Sequence, residues 1–194
     1  MSRVALDDGS IRKALIDRLS RLSKAPKAIL EELRVHNGNA IADVVAVYST
    51  AHCYEIKGDN DSVQRILRQS RFYDLAFNRT TLVTTDKQLE KALRLAPPHW
   101  GIMRARQREA VVTISYVRSA SPSPAFDKRL ALLTLWRSEL VELALSIPLV
   151  KVEKMNRSQL SGLIASALPD AALSKNIGEK LLSRHLQATK LCTI

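Results

Sequence analysis

The run Ile41 to Tyr48, IADVVAVY, constrains this chain more than any other stretch, because it is almost wholly apolar and yet carries a carboxylate, Asp43. A strand with apolar side chains at successive positions is covered on both faces. An unpaired carboxylate inside it would be costly to bury. The run therefore predicts a sheet between two layers, and an Asp43 that needs a cation, either a metal or a basic partner.

The flanking sequence supplies the layers. Ser10 is placed to cap a first helix in which Ile11, Ala14, Leu15, Leu19 and Leu22 recur at helical spacing, with Pro26 as its stop. Ala28 to Val35 reads as a strand, His36-Asn37-Gly38-Asn39 as its turn, and His52 to Lys57 as a third strand. Helical spacing returns over Asp61 to Phe77, capped by Asn60 or Asp61. Leu82 to Thr85 is a fourth strand, and Asp86 to Leu95 a second crossover helix. Pro97 to Ile102 turns the chain into an edge strand, and Val111 to Val117 is another. This order implies an α/β fold with a mixed central sheet flanked by helices. The loop Ser119 to Pro124, SASPSP, is the best boundary. It divides the chain into a domain over 1–118 and a helical C-terminal extension over 125–194, with a long amphipathic helix at 127–147 and shorter ones near 158–168 and 175–188. The apolar positions of that tail, Leu160, Leu163, Ile164, Ile177, Leu181 and Leu182, suit its own small core, and also a partner or a second copy of the chain in a homo-oligomer.

Thirty Lys and Arg against nineteen Asp and Glu give a formal charge of +11, spread along the chain rather than held in a tail. A field of that sign favours polyanions such as DNA or RNA. The two cysteines, Cys53 and Cys192, have no ligands at zinc spacing around them and make no disulfide framework. Acidic residues at Asp7 and Asp8 precede any long apolar run, and no window approaches 18 uncharged apolar residues. A soluble, cytoplasmic protein without membrane attachment is expected.

Glu55 and Lys57 are two apart on a strand, so both point to the face opposite Tyr54 and Ile56. If Asp43 and Glu55 meet at neighbouring strand ends, their carboxylates converge on one divalent ion, and oxygen-only ligation suits Mg²⁺ or Mn²⁺. A compact ammonium at Lys57 would then orient an attacking water or stabilise a phosphoryl transition state. Gln69 and Tyr73, four apart on the next helix, share a face that would fix Lys57 or touch a phosphate. Glu32 is preferred over Glu31 as a ligand to metal-bound water, although alternation from Ala28 and Leu30 does not fix its register. For nucleic-acid contact, Arg12 lies at a helix start where a phosphate docks on free amides. Arg65 lies on the helix after Lys57, and Arg104 and Arg106 alternate along a strand as a basic stripe. Each residue also has an ordinary reading: a strand Glu-x-Lys is common on solvated sheet faces, Asp43 suits a strand-end salt bridge, and Trp100 suits packing under the sheet.

In their order, Asp43, Glu55-Ile56-Lys57 and Gln69-Ser70-Arg71-Phe72-Tyr73 resemble the bipartite core and Gln-x-x-x-Tyr motif of the RecB-like branch of the PD-(D/E)xK nucleases. More narrowly, Ile11 to Leu15, Tyr54 to Lys57 and His99 to Ile102 resemble the bacterial and phage sce7726 family. Ala42 stands where the superfamily pattern has a proline. The resemblance implies a restriction-endonuclease-like core with a mixed four-stranded sheet, Mg²⁺-dependent phosphodiester hydrolysis and a nucleic-acid substrate, DNA first. The alternative expectation is a non-catalytic nucleic-acid-binding module, or an interaction protein, that retains such a fold.

Overall fold

The structure, a computed structural model, describes residues 5–109, 111–147 and 152–191, without the side chains of residues 65–68 and 191. Helix α1, Asp8–Ser20, starts before the predicted cap: Asp7 Oδ1 accepts the Ser10 N–H at 2.8 Å. The helix also ends well before Pro26, where the Arg21 N–H bonds back to the Arg18 and Leu19 carbonyls.

Six strands form one sheet in sequence order: β1 Ala28–Val35, β2 Ala40–Val47, β3 Ala51–Lys57, β4 Arg79–Thr85, β5 Gly101–Arg108 and β6 Val111–Arg118. This is a larger sheet than the four strands implied by the resemblance. Strands β1 to β3 are an antiparallel meander. Strands β3 to β5 are parallel, and parallel neighbours require crossovers. These are α2, Ile66–Ala76, which a short 3-10 turn at Val63–Arg65 leads into, and α3, Asp86–Leu95. Strand β6 returns antiparallel to β5. The strand after Trp100 is therefore internal, and the sheet's edges are β1 and β6.

Each face of the sheet is covered. On one side Ile11, Leu15 and Leu19 of α1 pack on Val44, Ala46, Tyr54, Ile56, Val83, Met103 and Ile114. On the other, Val45, Val47, Cys53, Leu82 and Ile102 meet Tyr73 of α2, Trp100 and the C-terminal helices. Those helices are α4 Lys128–Leu132, α5 Arg137–Ala144, α6 Arg157–Ala167 and α7 Asp170–Leu191. The single helix expected over 127–147 is thus two. Residues 131–135 are all buried, whereas a straight surface helix buries one stripe, so the chain bends at Leu133 to Trp136. The Ser119 to Pro124 loop is tied down, with the Ser123 N–H on the Asn78 carbonyl and the Asp127 N–H on the Leu75 carbonyl.

One irregularity positions the candidate site. Ala40 and Ala42 face the helical layer, and so do Val45 and Val47, although their parity differs. The same slip separates Ala28 from Leu33 and Val35 on β1. Pairing runs through Glu31 with Val44 and Leu33 with Ala42, and the pair between them, Glu32 with Asp43, is missing. Glu32 has a φ of 53°, a left-handed conformation uncommon for a side chain of its size. Both strands therefore change faces at one level, which is why alternation from Ala28 and Leu30 does not place Glu32.

Candidate functional site

Pairing between β2 and β3 stops at Val44 and Tyr54. Beyond it the Asp43 side chain replaces the ladder: its Oδ2 accepts the Ile56 N–H at 2.7 Å. Burial pushes the Asp43 carboxyl above its ordinary value, while the Ile56 amide and Lys57 pull it down. Glu55 is 1% exposed, and its Oε1 accepts from Lys57 Nζ at 2.5 Å. Its Oε2 is buried without a partner. Burial raises the Glu55 carboxyl to about 7, against the pull of Lys57.

Tyr73 is fully buried, and its hydroxyl donates to the Ile41 carbonyl at 2.8 Å, holding the splayed end of β2. Gln69, one turn earlier, is half-buried, with a buried Oε1 that has no partner. The structure thus brings Asp43, Glu55, Lys57 and Tyr73 to the point where β2 and β3 separate. Their bonds, though, are to main chain and to one another.

The predicted nucleic-acid contacts are placed differently. Arg12 stands among four carboxylates, at 2.8 Å from Asp8, 3.3 Å from Glu32, 3.6 Å from Glu31 and 3.9 Å from Asp43. With Asp7 already capping α1, that helix start is filled by the protein's own anions. Arg106 Nε contacts both oxygens of Asp86, at 2.7 and 3.0 Å, and Arg104 Nε lies 3.7 Å from the same carboxylate. The Arg65 side chain lies outside the described residues.

Asp43 and Glu55 do not fit a metal centre as they stand. Each carboxylate already accepts from a protein donor, and among the described residues no group of three or more His, Cys, Asp or Glu side chains could hold a metal ion. Hard divalent cations are bound by sets of several oxygens.

Two buried carboxylates escaped the sequence reading. Asp74 accepts from Trp100 Nε1 at 2.6 Å and from His99 Nε2 at 2.8 Å. Asp59 accepts from Leu6 N–H at 2.9 Å and Thr85 Oγ1 at 2.6 Å, joining the amino-terminal segment to the end of β4. His-Trp following a helix that carries an Asp was the available signal for the first; nothing local signals the second.

The structure also shows a groove that no motif marked. It lies between α1 and the edge strand β6, has a volume of about 730 Å³, and is lined by Ser10, Lys13, Asp17, Arg18, Arg21 and Val111 to Ile114. Lys13, Arg18 and Arg21 make no ion pair with an acid among the described residues. Arg18 instead lies over the Tyr116 ring, 5.5 Å from its centroid, with its Nε buried and unpartnered. Lys24 and Lys27, both exposed, follow on the loop leaving α1.

Among solved structures, the SPO1766 protein of unknown function from Silicibacter pomeroyi aligns with 77% of this chain and 99% of its own, at 18% identity and a TM-score of 0.43. Protein cII of Enterobacteria phage P4 is 24% identical over 139 residues, which is 71% of this chain and 53% of that protein. The chain therefore spans about half the length of that relative. The family model described as bacteriophage P4 protein cII matches residues 2–191. The two cII matches, with no metal-holding cluster among the described residues, correct the expectation of a PD-(D/E)xK or sce7726 nuclease and, with it, of a Mg²⁺-dependent hydrolase acting through Asp43, Glu55 and Lys57. The chain belongs to the bacteriophage P4 protein cII family.

Proposed function

We propose that this protein is a non-catalytic nucleic-acid-binding module, with DNA the first polymer to test, and that it binds through the groove between α1 and β6. One observation carries the reading: Lys13, Arg18 and Arg21 line a groove and, among the described residues, no acid is paired to any of them, in a chain of formal charge +11. Of the cations the sequence suggested, Arg12 is engaged by four acids and Arg104 and Arg106 by Asp86. Cations free of acidic partners release counterions from a polyanion on binding, at a salt-dependent gain.

In this reading Asp43, Glu55, Lys57 and Tyr73 are a brace that joins β2, β3 and α2 where the ladder opens. The test is fluorescence anisotropy with labelled oligonucleotides over a range of salt. The triple variant Lys13→Glu, Arg18→Glu, Arg21→Glu is expected to lose at least about tenfold in affinity and to flatten the log-log salt slope by about 2, from three phosphate contacts at roughly 0.7 each on a single strand. Equal affinity and slope in the folded triple variant would remove the groove from the account.

A further inference from the structure

We infer that the α1–β6 groove takes a single strand rather than a duplex, with Tyr116 stacking on a base while Lys13, Arg18 and Arg21 follow the phosphates. The inference rests on the binding reading above and names the form of its ligand.

The groove is not uniformly polar. Its β6 wall includes Val111, 62% exposed, and beside it on the same strand the Tyr116 ring, 51% exposed, lies next to the lining residue Arg18. The Tyr116 ring already carries the Arg18 guanidinium over it, so a cation and a flat aromatic stand together at one place. A duplex offers phosphates outward and keeps its base faces stacked, which would set Val111 and Tyr116 against a charged backbone. A single strand offers both phosphates and base faces, and a cationic groove with aromatic platforms is the arrangement that holds it without reading sequence.

The shape of the groove agrees. Helix α1 presents Ile11, Leu15 and Leu19 to the sheet, all fully buried. It lies flat along β6 and does not project as an element that enters a major groove. What remains open is the shallow channel between a helix flank and a sheet edge.

The experiment compares a labelled oligo-dT strand with a duplex of the same length, using the full chain and measuring anisotropy at fixed salt. The strand is expected to bind at least about tenfold more tightly. Tyr116→Ala should weaken strand binding by about ten- to a hundredfold and leave duplex binding nearly unchanged. Tyr116→Phe, which keeps the ring, should bind as the parent does, and Tyr116→Leu, which keeps apolar bulk without a stacking face, should not. Duplex binding as tight as strand binding, or a Tyr116→Leu protein as good as the parent, overturns the inference and leaves the charge reading standing. Binding of neither form overturns both, and thermal melts of each variant separate loss of binding from loss of fold.

Discussion

At the scale of single residues, the molecule's buried ionisable groups make opposed predictions about pH. Glu55, raised by burial to about 7, binds more protons folded than unfolded between about 4.5 and 7, so its contribution to stability falls as pH rises through that window. His52, half-buried against Thr81 with its Nε2 2.8 Å from Oγ1 and its ring stacked on Tyr54 at 4.5 Å, is lowered to about 4 by desolvation and by Arg79. It binds fewer protons folded than unfolded between about 4 and 6.5, so its contribution rises with pH there. The two slopes largely cancel in the parent. Denaturant melts from pH 4.5 to 6.5 should show a rising slope in Glu55→Gln and a falling one in His52→Gln, each on the order of 1–3 kcal/mol across the window. Parallel profiles in all three proteins would contradict both assignments. Gly58 gives a second residue-scale prediction. A Cβ there would sit 2.6 Å from the Leu6 carbonyl oxygen, so Gly58→Ala should destabilise by about 1–3 kcal/mol through overpacking. Gly38, at a φ of 93°, is needed for conformation instead. Both follow strands in the sequence, and only the fold separates them, because Leu6 is far from Gly58 in the chain.

At the scale of elements, what was legible follows the range of the forces involved. Strands β1 to β4 and β6 and helix α3 lie where alternation and turn chemistry put them. The long helix at 127–147 did not survive, since hydrophobic spacing alone does not reveal that 131–135 would be buried on every side. The helical tail is fixed by an ion pair whose partners are remote in sequence: Arg184 of α7 meets Glu139 of α5, with Nε 2.9 Å from Oε1, and each side chain is 11% exposed. Glu139 Oε2 also accepts the Trp136 N–H at 2.6 Å, so it caps the start of α5 as well. Removing one partner of a buried pair strands the other. Glu139→Ala should therefore cost about 3–5 kcal/mol, while Glu142→Ala, at the more exposed pair with Lys180, should cost less than about 1. Equal costs would place the α5–α7 junction elsewhere. The candidate site was only partly legible at this scale: Glu55 and Lys57 meet on one face as strand spacing said, but the slip at Glu32 and Asp43 and the main-chain bonds that occupy Asp43 and Tyr73 depend on how three elements meet.

At the scale of the whole molecule, the excess of positive charge has a place. Acids and bases near the β2–β3 opening and around Asp86 neutralise one another, and the groove between α1 and β6 keeps cations that have no acidic partner among the described residues. Composition announced the sign of the field but not its location, because α1 and β6 are separated by most of the sheet in sequence. Under the proposed function the motif-bearing cluster supports the fold, and the surface that no motif marked is the place of contact. Binding without turnover would set such a module apart from a nuclease. The decisive experiment incubates the full chain with an end-labelled DNA strand in Mg²⁺ and follows anisotropy and strand length in the same sample. A rise in anisotropy that added salt reverses is expected, with the strand recovered at full length. Shortened products that disappear in the Lys57→Ala protein would contradict it.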